Sequence, residues 1–150
     1  MKHVRRLTAM TLVLAFVFLL STSAFAARVD GNRHEHGDIE VYTWLTGGDY
    51  SVSAAMKFMN PENINYSFSA SMVITYTYCP EDAMRPLYYV TETESKTYTK
   101  NGNGEEIYLT TPEIPDGCVL IEVTCTFEAT ITTPSGTYHC VPDDLTIYLT

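Results

Sequence analysis

Two stretches of this chain alternate so regularly that they leave little freedom in the fold. In "YSFSASMVITYTYC", Tyr66, Phe68, Ala70, Met72, Ile74, Tyr76 and Tyr78 share one parity. Ser67, Ser69, Ser71, Thr75, Thr77 and Cys79 share the other, with Val73 the exception. "CVLIEVTCTFEATIT" repeats the pattern: Val119, Ile121, Val123, Cys125, Phe127, Ala129 and Ile131 against Glu122, Thr124, Thr126, Glu128 and Thr130. Side chains on a strand point to opposite faces with period two, so each run predicts a strand with one buried and one wetted face.

Shorter runs extend the pattern. Asp38–Thr46 sets Ile39, Val41 and Thr43 against Glu40, Tyr42 and Trp44, and Tyr50–Phe58 aligns Val52, Ala54, Met56 and Phe58. Leu87–Lys100 is rich in Thr and Tyr, which suit strands. Its outer half is polar on both faces, so it is expected as an edge or a projecting arm. "NGNG" at Asn101–Gly104 reads as a hairpin turn that returns Glu106–Thr110 onto that arm. "TPSGT" at Thr133–Thr137 reads as another, and Leu145, Ile147 and Leu149 as an inner strand face. About eight short strands with antiparallel connections and almost no helical periodicity predict an all-β antiparallel β-sandwich. A partly closed β-barrel is the alternative.

The first residues set the compartment. Lys2, Arg5 and Arg6 precede an uncharged apolar run, Leu7–Leu20, which ends in small residues and the triplet Ala24-Phe25-Ala26. That layout predicts a cleaved secretory signal peptide over 1–26. The run is about 14 residues, short of the roughly 20 a membrane span requires. The expected organisation is therefore signal peptide 1–26, a flexible polar lead-in 27–37 and one domain, 38–150, secreted without a stable membrane anchor.

Without Lys2, Arg5 and Arg6 the charge is six basic against 18 acidic residues, a net of −12. Such a chain repels nucleic acid and anionic membranes. Carbohydrate or protein surfaces are the more natural partners.

An even number of cysteines in an exported domain reads as disulfides. Cys79, Cys118, Cys125 and Cys140 allow three pairings, and a meandering strand order favours Cys79–Cys118 with Cys125–Cys140. A cysteine nucleophile is disfavoured, because Glu81 and Asp82 lie beside Cys79, and His139 and Cys140, as strand neighbours, point apart. No zinc-type C-x₂-C pair is present.

His34 and His36, spaced i and i+2, project to one side of an extended segment and are weak metal-ligand candidates. No cofactor is expected. The acidic loops at Glu81–Asp82, Glu105–Glu106, Asp116 and Asp143–Asp144 leave structural calcium as an alternative that no motif supports. No paired acids, Ser–His–Asp set or G-x-S-x-G turn suggests an enzyme.

The chain is thus expected to be a secreted, non-enzymatic interaction module that binds carbohydrate or protein. Its candidate contacts are an aromatic face at Tyr42 and Trp44, or the arm between Tyr88 and Tyr98. The alternatives are a matrix-like exported protein that self-associates through strand edges, and a weak metal binder or small secreted enzyme built on His34 and His36.

Overall fold

The computed structural model describes residues 26–82, 89–102 and 104–149. Nearly all of the signal-peptide reading, and Tyr88, lie outside the described residues. Nine strands run in order: β1 (Ala27–His36), β2 (Ile39–Gly48), β3 (Ser51–Met59), β4 (Tyr66–Pro80), β5 (Val90–Gly102), β6 (Glu106–Thr110), β7 (Cys118–Thr133), β8 (Gly136–Cys140) and β9 (Leu145–Tyr148). They form two sheets of antiparallel pairs. One is ordered β1-β2-β3-β6, the other β5-β4-β7-β8, with β9 also on β7.

The two long alternating runs are β4 and β7, and they pair with each other. Phe68 faces Ile131, Ala70 faces Ala129, Met72 faces Phe127 and Ile74 faces Cys125, all buried. Their apolar sides meet Val41, Leu45, Val52, Met56, Phe58, Ile107 and Leu109 from the other sheet in one core. Phe58 stacks on Phe68 across the sheets, with ring centroids 4.1 Å apart. Each such side chain contributes roughly 1.5–3 kcal/mol by leaving water. Among the described residues both sheets have free edges, so the architecture is a sandwich and not a closed barrel.

Two expectations are corrected. Residues expected as a loose lead-in form β1, from Ala27 to His36, paired along β2. Its ladder shifts register between Asp30 and Arg33. Gly31 lies in that bulge, and a Cβ there would collide with Thr43 Oγ1. The second concerns β6, which does not return onto β5 as a hairpin. It crosses to the other sheet and pairs with β3, Ile107 opposite Met56 and Leu109 opposite Ala54. Burying Ile107 and Leu109 outweighs the local preference of the turn.

β8 and β9 behave as one interrupted strand along β7. Cys140 pairs with Ala129 and Leu145 with Cys125. Five steps on one side therefore match four on the other, a one-residue bulge at Val141–Asp144 with Pro142 buried.

Candidate functional site

The outer face of the first sheet places Tyr42 and Trp44 on β2, beside Arg28 and Asp30 of β1. One row across the sheet reads Asp30, Trp44, Ala55, Tyr108. The small Ala55 leaves space above β3, so Trp44 and Tyr108 meet edge to face with centroids 6.4 Å apart. Tyr42 packs on the other side of Trp44 at 5.4 Å, and the Arg28 guanidinium sits 5.2 Å from the Trp44 ring centre. Tyr42 donates to Asp30 Oδ1 at 2.5 Å, and Arg28 Nε does so at 2.8 Å. Together these donors hold the Asp30 carboxyl below its usual range, Tyr42 contributing more than Arg28.

Covered in this way, Trp44 is only 8% exposed. It is a buried ring and does not offer the open stacking platform that its alternation suggested. The exposed aromatic of the cluster is Tyr108, 48% exposed, which the sequence reading missed. Its position between Ile107 and Leu109, both buried, was the available sign that it points outward.

From Tyr108 the cluster turns round the edge of the sandwich. The Tyr98 hydroxyl donates to the Tyr108 carbonyl, and the Lys96 ammonium lies 4.9 Å over the Tyr98 ring. A cleft of about 750 Å³ runs between β5 and β6, lined by Glu94, Lys96, Tyr98, Ile107, Tyr108 and Leu109 among others. β5 is the outermost strand of its sheet. Its residues from Val90 to Thr97 are exposed on both faces, and Tyr98 is half-buried. The structure thus joins three of the four aromatic candidates, Tyr42, Trp44 and Tyr98, through Tyr108.

His34 and His36 point inward from β1, opposite Val41 and Ile39, with parallel rings 6.4 Å apart. Their Nε2 atoms are buried without hydrogen-bond partners. Burial, and to a lesser degree His34, lowers the His36 pKa. His139 is not close to them, since it lies on the outer face of the second sheet against Glu128 at 3.5 Å. Among the described residues no three His, Cys, Asp or Glu side chains converge on a metal position.

The cysteine expectation is corrected. All four are free thiols. Cys125 and Cys140 are both buried, but the β7–β8 register puts Cys140 opposite Ala129. Four residues along a strand is about 13 Å, twice the reach of a disulfide. Cys79 faces Val119 while Cys118 faces Pro80, so the two thiols sit on neighbouring strands but on opposite sides.

No protein-family model matches the chain. No curated protein matches it either. Among solved structures it is similar to a candidate ApaA protein from Bordetella pertussis, at 6% identity and a TM-score of 0.37 over 83% of this chain and 91% of that one. It is similar to a structural-genomics target, SoR45, at 8% identity and a TM-score of 0.31, over 82% of this chain and 83% of that one. It is also similar to the trimeric lipoprotein SadB of Salmonella enterica, at 12% identity and a TM-score of 0.28, over 98% of this chain and 76% of that one. Likenesses at this level carry no argument, and what is said of the fold rests on the strand order itself.

Proposed function

We propose that this chain is an exported, non-enzymatic interaction module that engages an extended protein segment along the open β5 edge. The observation that carries this reading is the edge itself. β5 is a 13-residue strand, paired along β4 and uncovered on its other side among the described residues. Its main-chain groups are a template for one more strand, and the adjoining cleft supplies side-chain selection through Tyr98 and Tyr108. Glu92, Glu94 and Lys96 on the core-side face keep that edge from pairing indiscriminately. Carbohydrate stacking is the weaker reading, because Trp44 is covered. The export reading is supported by the pattern of residues 1–26.

A photocrosslinking amino acid placed singly at Thr93, Thr97 or Tyr108 in the producing cell tests this. Glu62 and Glu128, on other surfaces, serve as controls. Protein adducts concentrated at the three edge positions are expected. Adducts spread evenly, or found only at the controls, would sink the proposal.

A further inference from the structure

The geometry points to a second copy of this chain as the occupant of the β5 edge, paired antiparallel about a two-fold axis at Ser95. This rests on the strand-edge reading above and names the partner. The argument is the order of side chains along β5.

On the core-side face, in register with Tyr76, Ile74, Met72 and Ala70, stand Glu92, Glu94, Lys96 and Tyr98. On the outer face stand Thr91, Thr93, Ser95, Thr97 and Thr99. Acidic residues precede Ser95 and a basic residue follows it, so the strand is complementary to its own reverse. With the axis at Ser95, each Glu94 faces the other copy's Lys96, and each Glu92 faces Tyr98. On the outer face Thr93 meets Thr97 and Thr91 meets Thr99, which continues the hydroxyl pairs that β5 already makes with β4, Thr91 with Thr77 at 2.9 Å and Thr93 with Thr75 at 3.4 Å.

Registers centred on Thr93, Glu94 or Lys96 are worse. Moving the axis to Glu94 or Lys96 sets two like charges face to face, which destabilises a pair. Moving it to Thr93 opposes Glu92 and Glu94. Moving it to Thr97 keeps a ladder of equal length, but sets each Lys96 opposite Tyr98 and exchanges the two Glu94–Lys96 pairs beside the axis for Glu94 opposite Lys100, further from it. A slip of one residue between the strands turns the charged face against the hydroxyl face. The core-side approach is open as well, because the first sheet ends at β6 and the cleft lies beyond it. In the dimer the two clefts merge into one groove between the two β6 strands.

Sedimentation equilibrium over a concentration series, on wild type, E94K, K96E and the E94K/K96E double variant, tests the charge pairing. Each single reversal is expected to raise the dimer dissociation constant about tenfold or more, because two attractive pairs become repulsive. The double variant, which exchanges the charges, is expected to return near wild type. Under mild oxidation S95C is expected to crosslink into a dimer across the axis. T93C is not, since its counterpart lies about 13 Å further along the strand.

A wild type that stays monomeric up to its solubility limit overturns the proposal, as does a dimer indifferent to both reversals. If the protein is monomeric while crosslinkers at Thr93 or Thr97 capture a different protein, the strand-edge reading stands and the second copy falls. If those positions capture nothing and no dimer forms, both fall.

Discussion

Trp44 and Tyr108 belong to strands that do not pair, yet their rings meet edge to face 6.4 Å apart across the small Ala55 of β3. Trp44 is the chain's single tryptophan, so tryptophan fluorescence reports on the surroundings of that ring alone. Tyr108→Ala is expected to shift the emission to longer wavelength as water reaches the indole. It should also cost about 1 kcal/mol beyond the lost burial, the usual worth of an aromatic pair. An unshifted spectrum would mean that Tyr108 does not cover the ring.

Thiol reactivity is expected to divide the cysteines two and two. Cys79 and Cys118 are partly exposed and should react with a thiol reagent in the native protein, whereas the buried Cys125 and Cys140 should react only after unfolding. Four reactive thiols in the native state, or none after denaturation without reductant, would contradict this placement.

Alkaline stability follows from the same burial. Burial pushes the Cys125 thiol up to about 12 and the Cys140 thiol to about 11. The unfolded chain therefore releases these protons first, near 9. Stability is full below that pH and falls as pH rises towards the folded values, by up to about 4 kcal/mol for Cys125. Tyr76, raised to about 12 by burial and by its hydrogen bond to Glu92, adds to the fall above 10. Denaturant midpoints measured from pH 8 to 11 should decline. In the Cys125→Ala/Cys140→Ala variant the decline should begin only near 10.

On the acid side His36 is the group to watch. Its pKa is lowered by burial, so the unfolded state takes up the proton first. Its contribution is complete above the ordinary histidine value of 6.5 and is lost as pH falls through the folded value. Thermal midpoints should drop from pH 7 to 5, with a smaller drop for His36→Phe. An equal drop in both proteins would remove His36 as the cause.

The cross-sheet stack predicts the largest single loss. Phe68→Ala removes a ring stacked on Phe58 at 4.1 Å in a closed core, and should cost about 3–5 kcal/mol. Thr75→Ala, on the wetted face of the same strand, should stay within about 0.5 kcal/mol of wild type by urea denaturation.

The sandwich was legible because β4 and β7 carry long alternation, although a bulge at Ile121 changes its phase in β7, so that Leu120 is buried where Val119 and Ile121 were expected. What the sequence hid was set by partners far along the chain. "ARVDGNRHEH" has few apolar residues, and it is a strand because β2 offers it a ladder that His34 and His36 complete on the inner side. The turn at "NGNG" suggested a hairpin, but Ile107 and Leu109 find burial only beside β3. The cysteine pairing failed on register, since the tight turn between Thr133 and Gly136 sets Cys140 opposite Ala129, four residues from Cys125. Tyr42 and Trp44 were correctly placed on one face. That the face is roofed by Arg28 and Tyr108 could not be read from alternation within β2.

The β3–β6 ladder also fixes the order in which the molecule can assemble. Between Lys57 and Glu106 the chain leaves the first sheet, builds the β4–β5 hairpin and returns. It then departs again for β7, so neither sheet is a separable folding unit. A chain delivered N-terminus first, from a ribosome or through a translocon, holds β3 with an unpaired apolar margin until residue 110 has emerged. Closing that long excursion costs loop entropy before any contact repays it. Protein stalled before β6 is thus the form most exposed to aggregation, and a holding chaperone would act there.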